Sequence, residues 1–424
     1  MEPTFAAPVA RPIETRPAQL VKLVIILGAL TAFNSMSIDM YLPAFPQMSK
    51  DLAVPLGTVQ LSISAFLVGS AIGQLIYGPL SDRWGRKLPL LYGLGIYAVA
   101  NLACALIHSG EALLFWRVVM ALGGGASIVI SRAVVRDLYD TTEAARMLSL
   151  LMLAMGAAPI LAPLLGGQFL LFTGWRGIFA FLGVFGVLSL WGTVAWLPES
   201  LPAERRIPRR FREMMTIYGG LLRHRRYLCY ALALGAVAGL NFSYIAGAPQ
   251  FFIELHGISP QLFGLLFGLN ASGLIGASQL NRRLLRRYSA RRILGAAFAF
   301  GALAAALLAA SIVTGVGGFP AQAILIFGCL CTTGLSYPNV MALALEPFPA
   351  AAGSASALMG MMQYSLGALA GVFVGLNQNE TALPMVLTMT GCAFIGSLAF
   401  LLATTEAAQP APSESFDPGA TELN

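Results

Sequence analysis

Gly78-Pro79-Leu80-Ser81-Asp82-Arg83-Trp84-Gly85-Arg86-Lys87 packs four charged side chains into ten residues, and the apolar stretches on either side, near 57–79 and 88–108, contain no Asp, Glu, Lys or Arg. One bilayer crossing takes ~20 apolar residues, so a charged turn between two uncharged runs of that length is the pattern of helices that cross and turn back in water. Working outward, the same alternation gives further apolar stretches near 21–43, 111–132, 146–170, 176–197, 227–250, 260–280, 292–314, 319–345, 353–376 and 380–402, twelve in all. Runs such as Leu23 to Ala32 and Ile293 to Ala310 are apolar on every side, unlike the alternating ten-residue segments of a membrane barrel. Helices are the other structure that satisfies its own backbone in lipid. The composition agrees: 57% of the 424 residues are hydrophobic and 11% are charged, where a soluble domain carries about 25% charged. A soluble enzyme, a disulfide scaffold and a nucleic-acid-binding domain are excluded, and the expected class is an all-α integral membrane protein.

The basic residues confirm the count of stretches. Numbering the connections alternately puts 23 of the 26 Lys and Arg residues on one side, and leaves only Lys50, Arg117 and Arg176 elsewhere. Cytoplasmic loops carry the Lys/Arg excess, so both termini are expected in the cytoplasm, and the net charge of +7 encodes orientation rather than a polyanionic partner. Residues 1–20 read as a cytoplasmic N-terminal segment without a signal peptide, and 403–424, with Pro410, Pro412 and Pro418, as a disordered cytoplasmic tail. The longest internal connection, 198–226, divides the chain into 21–197 and 227–402, six stretches each. Its eight arginines have two readings, a topology determinant linking the halves or a site for anionic lipid headgroups. A weak internal echo, Arg286-Arg287-Tyr288-Ser289-Ala290-Arg291-Arg292 between the eighth and ninth stretches, repeats the basic and aromatic turn at the same place in the second half. Two pseudo-symmetric six-helix bundles related by an axis along the membrane normal suit a transporter with its site between them.

The quoted turn closely resembles the signature loop of the major facilitator superfamily, in which its Gly78, Leu80, Asp82, Arg83, Gly85, Arg86 and Lys87 all match the pattern. Ser37-Ile38-Asp39-Met40-Tyr41-Leu42-Pro43-Ala44, Ser131-Arg132-Ala133-Val134-Val135-Arg136-Asp137-Leu138-Tyr139, Asn339 to Leu345 and Gly353 to Leu358 resemble the Bcr/CflA drug-resistance branch of its drug:proton antiporters. The likeness spans about 20–402. Two stretches depart from it: the fourth has Arg117-Val118-Val119-Met120-Ala121 with its glycines displaced to Gly123, Gly124 and Gly125, and the fifth has Ala162-Pro163-Leu164-Leu165-Gly166-Gly167 for the antiporter pattern Gly-Pro-x-x-Gly-Gly.

Asp39 is the candidate proton-coupling group, because a carboxylate inside a spanning helix costs at least ~2.5–3.5 kcal/mol and is kept for a partner or a wet cavity. Its proximity to Pro43 leaves a second reading, an acid at the helix end reaching the headgroups. Counting 1.5 Å per residue, Asp39 and Arg117 both fall roughly 6–9 Å inside the outer boundary, so Arg117 is the expected partner; the competing reading is an arginine that snorkels outward. In the signature turn Gly78 and Gly85 permit close turns, and Arg83 and Arg86 can pair with Asp137. By resemblance, Asp82 meets the N-terminus of the eleventh helix near Gly353 and Ser354, which makes the turn a latch that closes when the halves meet on the cytoplasmic side. Gly156, Pro159, Pro163, Gly166 and Gly167 mark a bent, closely packed fifth helix at the interface between halves. Cavity candidates for substrate are Asn34, Ser37, Tyr41, Asn241, Tyr244, Asn270, Met362, Gln363 and Tyr364, polar or adaptable groups on helices expected to line the centre.

No Gly-Lys-Ser/Thr occurs, so ATP has no phosphate-binding loop; His108, His224 and His256 lack metal-ligand spacing, and the five Cys lie in apolar helices as packing thiols. The chain is therefore expected to be no enzyme, to use no metal or cofactor, and to draw on the proton gradient. The resemblance implies a monomeric exporter of amphipathic drugs, such as chloramphenicol-like, bicyclomycin-like or sulfonamide compounds, in the bacterial inner membrane. The alternative is an exporter of a metabolite or amino acid on the same fold.

Overall fold

A computed structural model describes residues 17–139, 141–206 and 211–406. Most of the expected N-terminal segment and of the C-terminal tail, together with Arg209 and Arg210 of the linker, lies outside the described residues. The helices are α1 (Pro17–Asp39), α2 (Phe45–Asp51), α3 (Leu56–Trp84), α4 (Lys87–Leu106), α5 (Gly110–Leu138), α6 (Thr141–Phe172), α7 (Gly174–Trp196), α8 (Phe211–Arg223), α9 (Arg225–Pro249), α10 (Pro260–Leu284), α11 (Ala290–Thr314), α12 (Gly318–Leu345), α13 (Ala352–Leu376) and α14 (Leu383–Glu406). Among the described residues, twelve helices are long and apolar enough to cross a membrane. The other two are α2, which extends α1 past a break, and α8, which lies in the connection between halves.

Helix starts follow their capping residues. The hydroxyls of Ser109, Ser259 and Ser289 accept the backbone N–H of Ala112, Leu262 and Arg292, so α5, α10 and α11 begin where a side-chain oxygen replaces a missing helical partner. In lipid, apolar burial gives helices little reason to associate, and close van der Waals approach takes its place. Accordingly α4 meets α5 through Gly93 and Gly123, where an added methyl would fall 2.7 Å and 2.5 Å from the facing carbonyl oxygens of Gly123 and Gly93.

The helices α1, α3, α4, α5, α6 and α7 pack among themselves, as do α9 to α14, and the two sets meet chiefly along α3 with α13 and α6 with α10. On the face opposite the termini these contacts are tight. Gly57 abuts the Gly375 carbonyl, Gln60 Nε2 donates to Gln250 Oε1 at 3.2 Å across the halves, and Gln250 also bonds the Asn379 carbonyl. The halves are thus shut on that face.

Two sequence expectations change here. Gly78 is not in a turn: α3 runs on through Pro79 to Trp84, Gly78 faces open space, and only Gly85, with φ of 89°, takes the left-handed conformation that favours glycine. Asp39 is not close to an outer end either. Pro43 and Pro46 do break the helix, but a short 3-10 turn (Leu42–Ala44) and α2 carry the chain on to Asp51, twelve residues further.

Candidate functional site

Between the halves lies a cavity of about 160 Å³. Asn34, Ser35, Ile38 and Asp39 of α1 and Pro159 of α6 form one wall; Asn241, Phe242, Tyr244 and Ile245 of α9, Phe267, Asn270, Ala271, Leu274 and Ile275 of α10 and Leu330 of α12 form the rest. Drug-sized pockets run to ~300–1,000 Å³, so a larger ligand needs the halves to part. Four of the nine expected substrate residues, Asn34, Asn241, Tyr244 and Asn270, meet here. Asn270 Nδ2 donates to Tyr244 Oη at 2.8 Å, and the Tyr244 ring stacks on Phe267 at 5.4 Å. The apolar lining went unnamed in the sequence, although Ile38, Ile245 and Leu274 stand one helical turn from Asn34, Asn241 and Asn270 and so share their faces.

Asp39 is 5% exposed, and no hydrogen bond or ion pair joins it to a described residue. Its expected pairing with Arg117 is not made. Arg117 is wholly buried, so it does not snorkel either. Its Nη1 donates to the Ser37 carbonyl oxygen at 2.8 Å, its Nη2 to Tyr41 Oη at 3.2 Å and its Nε to the Ser62 carbonyl at 3.4 Å. Its guanidinium carbon sits 4.3 Å from the Tyr41 ring centre and 4.5 Å from that of Phe66. Ser37 and Tyr41 are therefore not cavity residues. Both are fully buried inside the first half, where Ser37 Oγ bonds Tyr97 Oη and Tyr41 Oη bonds Ser62 Oγ, each at 2.7 Å. Asp39 and Arg117 stand at matching levels, as counted, since Arg117 reaches the Ser37 carbonyl two residues from Asp39, but they face different ways, because the α1 backbone offers carbonyl acceptors on the α5 side while Asp39 turns to the cavity.

The α13 candidates also stand apart from the cavity lining. Tyr364 accepts from Asn34 Nδ2 at 3.1 Å, a bond across the halves, and Gln363 accepts from the Tyr337 hydroxyl. Met362 packs against the apolar core of the second half.

The signature turn is held within its own half. Arg86 Nη1 meets Asp82 Oδ1 at 2.6 Å, and Arg86 Nε meets Asp137 Oδ2 at 2.8 Å. Burial alone works against the Arg86 charge, but the hydrogen bonds and charges of Asp137 and Asp82 outweigh it and hold its pKa above the ordinary value. Arg83 is exposed and makes no recorded bond to Asp137, so of the two arginines only Arg86 pairs. No bond from Asp82 to α13 is formed, and nothing lies within 4 Å of a methyl placed on Gly353. The sequence reading missed Glu199. Its carboxylate accepts the backbone N–H of Arg86 at 2.8 Å and of Lys87 at 3.2 Å, capping the first amides of α4, while Ser200 Oγ donates to Asp137 at 3.1 Å. A contact over 113 residues has no local signal.

On α6, Pro159 lines the cavity and Gly166 abuts the Met40 carbonyl at the α1 break. A methyl on Gly167 would fall 2.9 Å from the Pro260 carbonyl oxygen, and one on Gly264 would fall 2.8 Å from that of Pro163, so these residues sit where α6 crosses α10 of the other half.

A family model described as Major Facilitator Superfamily matches residues 27–372. An uncharacterized MFS-type transporter of Bacillus subtilis, YdgK, is 38% identical over 91% of this chain and 96% of its own. A bicyclomycin resistance protein homolog of Haemophilus influenzae is 31% identical over 90% and 96%. Among solved structures, the inward-facing, unoccupied form of a bacterial homolog of the human lysosomal transporter Spinster superposes with a TM-score of 0.72 at 17% identity, covering 92% of this chain and 98% of that one.

Proposed function

The chain belongs to the Major Facilitator Superfamily, and from that premise we propose that it exports amphipathic small molecules, antimicrobial drugs among them, in exchange for protons by alternating access. The observation that carries the reading is Asp39: an acid buried in the wall of a cavity built by both halves, facing none of the cations that would make it structural. A carboxyl there changes what the cavity binds according to whether it holds a proton, and competition between proton and substrate for one group couples their movements. Arg117 fixes the end of α1 from which Asp39 projects. Asp82 is held by Arg86 while the cytoplasmic side is open, and exchanges that partner for the first amides of α13 when the halves close there.

On this reading the face bearing the termini is cytoplasmic, the membrane is the bacterial inner membrane, and the structure is inward-facing. The protein works as a monomer surrounded by lipid, with the proton gradient in place of any cofactor. The name of the Haemophilus relative supports a drug as substrate. Reconstituted protein tests the proposal, with drug efflux and proton flux measured together. Asp39→Asn is expected to stay in the membrane and lose proton-coupled efflux, and full retained efflux overturns the assignment.

A further inference from the structure

The turn from α10 into α11 carries Arg282, Arg283, Arg286, Arg287, Arg291 and Arg292, and all six are exposed. No Asp or Glu occurs in the sequence between Glu254 and Glu346. Among the described residues none of the six arginines has an acidic partner, and their one recorded side-chain bond runs from Arg291 Nη2 to the Thr404 carbonyl on α14 at 2.7 Å. The turn at the same place in the first half is built differently. There Arg86 is held by Asp82 and Asp137, and the Glu199 carboxylate caps the amides that follow. In the second half the hydroxyl of Ser289 does the capping. Glu346, which stands at the end of α12 as Asp137 stands at the end of α5, is held instead by Arg226 of α9 at 2.8 Å. The charge that the first half neutralises from within is left open in the second.

This turn also lies at the lipid-facing edge of its half. The helix α11 packs on α12 and α14, and its Phe300, Leu303 and Leu307 point outward, as does Leu280 on α10. Phe300 follows Arg292 by eight residues, about 12 Å along the helix. Between the arginines, Leu285 and Tyr288 are 45% and 51% exposed. A polyanion in water gains nothing from these apolar side chains, whereas the boundary of a bilayer accommodates both kinds, phosphates for the guanidinium groups and an interface for Tyr and Leu. We propose that the α10–α11 turn binds the phosphate headgroups of anionic phospholipids, in the leaflet on the face that bears the termini. These lipids supply the counter-charge that Asp82 and Asp137 supply in the first half, and phosphate oxygens match the paired donors of a guanidinium. The site is independent of what the cavity transports.

Protein purified in neutral detergent, immobilised and titrated with fluorescent phosphatidylglycerol or the zwitterionic phosphatidylcholine, tests it. The native protein should retain phosphatidylglycerol far more tightly. Arg286→Gln combined with Arg287→Gln is expected to weaken that binding about thirtyfold, the effect of removing two arginines held near an anionic surface, and to leave phosphatidylcholine unchanged. Arg286→Lys with Arg287→Lys keeps the charges that orient the chain and should restore most of the binding. The same loss of charge at Arg136 and Arg223, exposed arginines elsewhere on that face, is the control. Equal weakening by the two pairs, or equal affinity for the two lipids, overturns the proposal and leaves the arginines as a topology signal. Inorganic phosphate at the same concentration should not compete; competition assigns the site to a soluble anion and overturns the lipid. If the Gln variant does not accumulate, salt decides on the native protein: an ionic strength of about 1 M, which screens charges beyond ~3 Å, should strip the phosphatidylglycerol, and binding that survives it overturns the proposal.

Discussion

The Arg117 guanidinium donates to the Ser37 carbonyl oxygen at 2.8 Å and makes no bond to the carboxylate of Asp39, two residues further along α1. The Ser37 carbonyl belongs to the last turn of α1, where helical amide partners run out, and a cation there also meets the negative end of the helix dipole. Arg117 thus acts on Asp39 through the backbone, by fixing where the helix stops.

Arg117→Met keeps the bulk and loses every one of those bonds. With the Ser37 and Ser62 carbonyls and the Tyr41 hydroxyl left without their shared donor, the expected cost is ~2–4 kcal/mol. Arg117→Lys keeps the charge and reaches only part of the acceptor set, so it should fall between the two. Thermal unfolding in detergent gives the order, and equal stability of all three proteins contradicts the role assigned to Arg117.

Glu199→Ala removes the acceptor for the Arg86 and Lys87 amides at the start of α4. Loss of a helix cap costs ~1 kcal/mol. Faster hydrogen exchange confined to the first turn of α4 is the expected signature. Exchange that stays protected there shows that the carboxylate is not what holds the turn.

Arg86→Gln leaves Asp82 and Asp137 facing the same space without their common cation. Their side chains are 40% and 19% exposed, so solvent screens part of the repulsion and the expected loss is ~1–3 kcal/mol rather than the larger cost of a buried orphan charge. Adding Asp137→Asn should recover part of it, and a double variant no more stable than the single one argues against the pairing.

The features legible in the sequence were those with a local or periodic signature. Twelve apolar runs of spanning length became twelve helices, and the pairing of Arg86 with Asp137 followed from two charged residues at neighbouring helix ends on one face of the membrane. Depth could be counted along Asp39 and Arg117, but direction around each helix could not. Ser37 and Asp39 stand about 200° apart around α1, so with Ser37 turned into the first half Asp39 turns to the cavity, and which side each takes is decided by packing against α4 and α5 that no local sequence signal carries. Gly78 looked like a turn residue because glycine permits close turns, yet α3 absorbs Pro79 and runs on for five more residues. Glu199 was invisible because its partners lie far away in sequence and are backbone amides, which every residue but proline offers.

Gly166 touches the Met40 carbonyl at the α1 break. A methyl at 166 has backbone before it rather than a flexible side chain, so α6 must move off α1. Gly166→Ala is expected to destabilise by ~1–3 kcal/mol and to disturb the geometry around Asp39, with proton-coupled transport falling more than membrane abundance. Normal transport by this variant shows that the α1 break tolerates displacement.

Gly57 makes the corresponding contact between halves, against the Gly375 carbonyl on the face opposite the termini. This approach exists only while that face is shut, so a methyl at 57 penalises the state seen here and leaves the oppositely opened state without the overlap. If backbone adjustment relieves the clash to ~1–3 kcal/mol, the balance between the two states shifts by about 5- to 150-fold, enough to change which one predominates when they start within that range. Gly57→Ala should therefore raise the reactivity of a cysteine placed at Asn241 toward a membrane-impermeant thiol reagent added from the face opposite the termini, in a background lacking the native cysteines. The same substitution at Gly276, where an added methyl meets open space, is the control. Unchanged labelling from that face with Gly57→Ala, in a variant that still folds, places the closure elsewhere along α3 and α13.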